Sequence, residues 1–185
     1  MSEEIKNAIR AKALEMGFDV ARFAKPVDKT DQLKKWLDAS YHGDMTWMEN
    51  NPEVRGSATT MWGEVKTIIS LGYNYGPDFD PRPKLDNANE GYISVYAHGD
   101  DYHDIVKKKL KKLGNWMAQT YGNKLKVFVD TAPVMEKPLA HEAGVGWQGK
   151  HSNVVSRQFG SWLFLGTIYI DMELPADEKE TDHCG

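Results

Sequence analysis

The chain has 185 residues, 41% hydrophobic and 11% aromatic, enough for one domain with a sizeable core and too apolar for a disordered chain. A formal net charge of −4 argues against tight nucleic-acid binding by this chain alone, because Lys and Arg supply most of the affinity for phosphates. A single cysteine excludes an internal disulfide and suits a reducing compartment.

Ser2-Glu3-Glu4-Ile5-Lys6 lacks the basic start and apolar run of a secretory signal. The longest strongly apolar stretch, residues 162–170, falls far short of the ~20 residues that span a bilayer. The expectation is a soluble cytoplasmic protein without a membrane partner.

Ile5, Ile9, Ala13 and Met16 recur at helical spacing, with Glu3 and Glu4 at the favoured acidic start and Gly17 at the end. Residues 18–23 read as a short strand, and residues 30–39 as a helix with Leu33, Trp36 and Leu37 on one face. A helical turn through Met45, Trp47 and Met48 leads to Asn51-Pro52, a stop signal. Residues 65–73 read as a buried strand, residues 76–91 as a loop, and residues 92–97 as another strand.

The longest helix spans residues 101–121, with Val106, Leu110, Leu113 and Met117 forming its apolar stripe. Lys107, Lys108, Lys109, Lys111 and Lys112 on it read more readily as a solvated face than as a phosphate track. Residues 125–130 form a strand and residues 134–143 a helix despite Pro138. Residues 153–156 and 161–171 suggest a hairpin around Arg157-Gln158-Phe159-Gly160. Helices and strands mix without strict alternation, which predicts an α+β fold.

Three places carry chemistry. Asp130 ends a strand, where a partly desolvated carboxyl group can donate a proton; it can equally cap the following helix, with Pro133 in the first turn. Gly144, Gly146 and Gly149, interleaved with Trp147, Lys150, His151, Ser152 and Asn153, let the backbone approach a ligand. Their spacing matches neither the P-loop nor the dinucleotide fingerprint, and a ligand-free tight loop is the competing reading. Asp100 and Asp101 stand at a helix start, where the macrodipole alone accounts for them. His42, His98, His103, His141, His151 and His183 are scattered without zinc-site spacing.

Residues 128–160, with Tyr41-His42-Gly43-Asp44-Met45, Gly99-Asp100-Asp101-Tyr102-His103 and Phe159-Gly160-Ser161, closely resemble the epoxyqueuosine reductases. These are cobalamin- and iron–sulfur-dependent enzymes of queuosine biosynthesis in tRNA. The resemblance implies a cobalamin-binding domain over residues 1–175, related to the flavin nitroreductase fold, with a mainly antiparallel sheet flanked by helices. It makes Asp130 the general acid. It implies cofactor contacts from Arg55, Val95, Tyr96, Tyr102, Gly149, Lys150, Asn153, Val154, Ser156, Gly160, Ser161 and Leu165.

Asp182-His183-Cys184-Gly185 resembles the start of the family's first ferredoxin-type motif. Residues 176–185 are therefore expected to begin a truncated iron–sulfur domain, with Cys184 a ligand to a 4Fe-4S cluster only in the full-length protein. One thiolate cannot hold such a cluster. The implied partners are tRNA carrying epoxyqueuosine and an electron donor, and the chain is expected to be monomeric and inactive alone. His98 and Asp100 depart from the family's basic residues there, and Met61-Trp62-Gly63 lacks its usual proline. The alternatives are a non-catalytic corrinoid carrier and a flavin-dependent reductase holding FMN.

Overall fold

The computed structural model describes residues 1–80 and 82–184, apart from the side chains of Lys84 and Asp86. Its strands are Val20–Ala24 (β1), Thr67–Asn74 (β2), Leu125–Phe128 (β3), Trp147–Gln148 (β4), Val154–Val155 (β5) and Leu163–Ile170 (β6). Its α-helices are Ser2–Glu15 (α1), Thr30–Asp38 (α2), Pro52–Gly56 (α3), Ala58–Met61 (α4), Tyr102–Tyr121 (α5) and Glu136–Ala143 (α6). One four-stranded sheet runs β1-β2-β6-β3 with every pairing antiparallel, and β4 pairs with β5 in a separate ribbon. The α+β expectation holds.

Alternation along the central strands explains why both read as unbroken apolar runs. Ile69 and Leu71 of β2 and Ile168 and Ile170 of β6 join Ile9 of α1 and the Val106, Leu110, Leu113 and Met117 stripe of α5. The intervening Ile68 and Tyr169 turn to the opposite face, against Leu139 and Ala143 of α6. Both faces of the sheet are thus covered. The sequence places both long elements that build this core.

Four expectations need correction or refinement. Residues 92–97 contain only a 3-10 turn at Val95–Ala97, with Ile93 66% and Tyr96 53% exposed. Apolar residues on both parities suit a strand buried on two faces, and this segment lies at the surface. Pro52 does follow the end of a helical turn, the 3-10 turn Thr46–Glu49, but it also opens α3, where a proline in the first turn loses no hydrogen bond. The strand from Leu125 stops at Phe128 and leaves Val129 buried beyond it.

The expected hairpin does not form between residues 153–156 and 161–171. Val154 and Val155 pair instead with Gln148 and Trp147, while β6 lies between β2 and β3. The turn at 157–160 closes on itself through paired backbone bonds between Ser156 and Gly160, at 2.8 and 2.9 Å.

Residues 175–184 have no helix or strand, yet they are tied to the body. The Asp177 carboxylate meets Lys6 at 2.8 Å and Arg10 at 2.7 Å, and accepts from the Phe23 amide at 2.9 Å. The Trp147 indole N–H donates to Cys184 Sγ at 3.2 Å. Gly185, which ends the sequence motif there, lies outside the described residues. Among the described residues no helix is long and apolar enough to cross a membrane.

Candidate active site

A cleft of about 830 Å³ opens where the ends of β2, β6, α5 and α6 meet the β4–β5 ribbon and α2. One wall is a continuous stack of four rings. Tyr75 stacks on Phe164 at 4.2 Å, Phe164 on Tyr102 at 4.2 Å, and Tyr102 on His103 at 4.0 Å. β2 leads into Tyr75, β6 carries Phe164, and the first turn of α5 supplies the other two rings.

Asp130 stands at the end of this stack. The Tyr102 hydroxyl donates to its Oδ2 at 2.7 Å, and His103 Nε2 lies 3.5 Å from the same oxygen. The other His103 ring nitrogen, Nδ1, is 2.7 Å from Asp101 Oδ1. That Asp101 carboxylate also caps α5, accepting from the His103 amide at 2.8 Å, and these bonds hold it below the usual carboxylate range. Burial, then the bond to Asp130, pushes the Tyr102 hydroxyl up, so it stays a donor at any physiological pH.

The helix-cap reading of Asp130 fails. Helix α6 begins at Glu136, its cap position is Met135, and no side chain caps it. Asp130 instead sits at φ +48°, in the left-handed region, with its side chain 67% exposed. Its carboxylate keeps an oxygen free for the cleft.

Glu136 is the residue that sequence reasoning missed. It lines the cleft in the first turn of α6, and its Oε2 accepts from the Asp130 amide at 2.6 Å. The other oxygen, Oε1, is buried and has no hydrogen-bond partner. Burial raises its pKa to about 7, with the Asp130 charge adding to the rise and the Asp130 amide opposing it. A glutamate there reads in sequence as an ordinary partner of the helix dipole. Tyr75 and Phe164 were missed because aromatic residues in strands read as core.

Eight of the residues that the resemblance makes the acid or a cofactor contact line the cleft: Arg55, Tyr96, Tyr102, Asp130, Asn153, Val154, Ser161 and Leu165. The others sit behind its wall or away from it. Val95 is buried under the 3-10 turn, and Gly149 and the exposed Lys150 form the turn of the β4–β5 ribbon. Buried Ser156 and its partner Gly160 close the next turn, where Ser156 Oγ accepts from the Phe159 amide at 3.4 Å. Cys184 packs against Trp147. Among the described residues no group of three or more His, Cys, Asp or Glu side chains is placed to hold a metal ion.

The polar wall opposite the rings suits a large ring fringed with amides. Arg55 packs its guanidinium 5.1 Å over the Trp47 ring, and its Nε is buried without an acceptor. Lys137 and Asn153 pair at 2.8 Å, beside Gln148 and Ser161. Carboxylates crowd the N-termini of both helices that reach the cleft, Asp101 and Asp104 on α5 and Glu136 on α6. A phosphate is unwelcome at such ends. Arg55, Lys137, Gln148, Asn153 and Ser161 offer donors and acceptors that can pair with the side-chain amides of a corrinoid.

Fold and site together define a ligand-binding α+β domain with a carboxylate, a phenol and an imidazole gathered at one edge of its cleft. The family model for "Epoxyqueuosine reductase QueG, DUF1730" matches residues 55–131, which include Arg55, Tyr102, His103 and Asp130. The epoxyqueuosine reductase of Vibrio cholerae is 39% identical over 99% of this chain and 51% of its own length. The solved epoxyqueuosine reductase of Streptococcus thermophilus superposes with a TM-score of 0.84 at 29% identity, over 98% of this chain and 50% of that one. A third, solved with an epoxyqueuosine-modified tRNA-Tyr stem loop, shares the fold with a TM-score of 0.88 at 22% identity, over 100% of this chain and 50% of that one. Nearly the whole chain is similar to curated epoxyqueuosine reductases, and it spans about half the length of the relatives it matches.

Proposed function

We propose that this chain is the cobalamin-binding catalytic part of an enzyme that reduces epoxyqueuosine to queuosine at the tRNA wobble position. In this reading its fold is a relative of the flavin nitroreductases. Loss of the epoxide oxygen as water takes two electrons and two protons. Bound, reduced cobalamin would supply the electron pair, and iron–sulfur clusters in a module that begins near residue 176, with Cys184 as one ligand, would supply its electrons. Arg55, Gln148, Asn153 and Ser161 hold the corrinoid's amides, and Phe164 and Tyr75 form its apolar side.

The observation that carries the reading is the cluster at the end of the ring stack. Asp130 gives a proton to the departing epoxide oxygen, Tyr102 aims its carboxyl group from 2.7 Å, and His103, held by Asp101, returns a proton from solvent. A non-catalytic corrinoid carrier has no use for this constellation. Equilibrium dialysis of this chain against hydroxocobalamin and FMN tests the reading. We expect cobalamin uptake at about one per chain without FMN retention; FMN binding without cobalamin uptake overturns it.

The RNA side of the reading has its own support on α5. Lys107, Lys108, Lys111 and Lys112 are exposed and make no ion pair among the described residues. At 3.6 residues per turn Lys111 stands about half a turn around the helix from Tyr102, so the stripe faces away from the ring stack and its charge, not its position, is the support. Converting Lys107 and Lys111 to Glu should weaken binding of an RNA stem loop and lower its log–log salt slope by roughly one per lost phosphate contact. Fluorescence anisotropy across a salt series reads this. An unchanged slope assigns the face to solvent.

A further inference from the structure

We propose that Glu136 is a positioning residue, whose carboxylate clasps the Asp130 backbone amide and fixes the segment 129–135 in the conformation that aims Asp130 into the cleft. The inference rests on the reading of Asp130 as proton donor only for its purpose, not for its geometry. Three features of the segment require an external hold.

First, Asp130 is not glycine and yet lies at φ +48°, in the left-handed region that L-residues other than Asn and Asp rarely adopt. Second, the segment holds itself only by tight local turns. The Thr131 amide donates to Val129 O across Asp130, and the Val134 amide donates to Ala132 O at 2.7 Å. The first turn, with positive φ at its central Asp130, is of the rare and strained kind; the second centres on Pro133 and is of the common inverse kind. Third, no helix or strand pairing covers residues 129–135. The bond from the Asp130 amide to Glu136 Oε2, at 2.6 Å, spans the whole excursion and ties its first bend to the rigid start of α6.

Glu136 is suited to this task because it is itself fixed. Leu139, Ala140 and Ala143, at i+3, i+4 and i+7 on the same face of α6, are buried against the sheet and ribbon, so its first turn cannot drift. Above about pH 7, where Glu136 is ionised, its carboxylate accepts a backbone N–H in a stronger bond than a neutral acceptor makes. Its other oxygen, Oε1, is turned into the interior toward the buried Thr167 hydroxyl, which also favours the ionised form. A glutamate placed only to favour the helix dipole has no need to be buried.

The test is amide hydrogen exchange, resolved by residue, on this chain and on Glu136→Ala and Glu136→Gln. The alanine variant should speed exchange at Asp130 and its neighbours by about 10–100-fold, the loss expected for one charge-assisted bond. Amides of β2 and β6 should stay unchanged. Glutamine keeps an acceptor oxygen and should restore most of the protection. Unchanged exchange at Asp130 in the alanine variant overturns the proposal. So does an equal rise across the sheet, which makes Glu136 a fold residue, or a failure of glutamine to rescue. None of these readouts depends on turnover, so failure of the proton-donor reading would show separately, as unimpaired turnover in an Asp130 variant.

Discussion

Replacing Asp130 by asparagine lowers epoxide reduction by ~10²–10⁴-fold, the loss expected on removing a general acid, while folding and cobalamin uptake survive. The amide has nearly the same size and keeps an oxygen that can accept from Tyr102 Oη. Asparagine also tolerates the left-handed backbone at this position as well as aspartate does. The Asp130 amide keeps its bond to Glu136, which needs only the backbone. What disappears is the transferable proton. Turnover is to be measured in a fusion of this chain to the half of a relative that it does not span, and cobalamin uptake in this chain alone. Near-normal turnover leaves the proton source elsewhere, and lost cobalamin uptake makes Asp130 a binding residue. Since Asp130 caps no helix, a loss of turnover cannot be assigned to a destabilised α6.

The long elements were legible because their signals are local and repeated. Val106, Leu110, Leu113 and Met117 mark α5 at a glance, and all four are fully buried. Asp130 was legible as a polar residue at the end of a strand. Glu136 was not, because its importance comes from burial beside Asp130, and both come to the cleft through bends at 129–135 that no periodicity announces. The cleft draws on Arg55, Tyr75, Tyr102, Asp130, Asn153 and Phe164, which the sheet order brings together from distant parts of the chain. Residues 92–97 misled because five hydrophobic side chains in six positions satisfy a strand pattern without requiring a partner. The failed hairpin has a similar cause. Two valines are too short a run to specify which neighbour they pair with.

Gly146→Ala should be the most damaging small change near the cleft. A Cβ at Gly146 would stand 2.1 Å from Val155 O and 2.7 Å from its carbonyl carbon. Both are backbone atoms of the ribbon, so no rotamer change relieves the contact. Trp147 pairs with Val155 in the next register position, and the clash therefore prises β4 from β5 at the root of the ribbon. Gln148, Asn153 and Val154 move with it, and these form the polar wall of the cleft. We expect a loss of ~2–4 kcal/mol in urea unfolding, at or above the usual cost of overpacking, together with weakened cobalamin uptake. Gly63→Ala is the control, since its Cβ would meet nothing within 4 Å; its stability should stay within about 0.5 kcal/mol of the parent. If Gly146→Ala matches that control in stability, the ribbon yields easily. If it also keeps full cobalamin uptake, the ribbon contributes nothing to holding the cofactor, and the wall must be sought among Arg55 and the residues of α2.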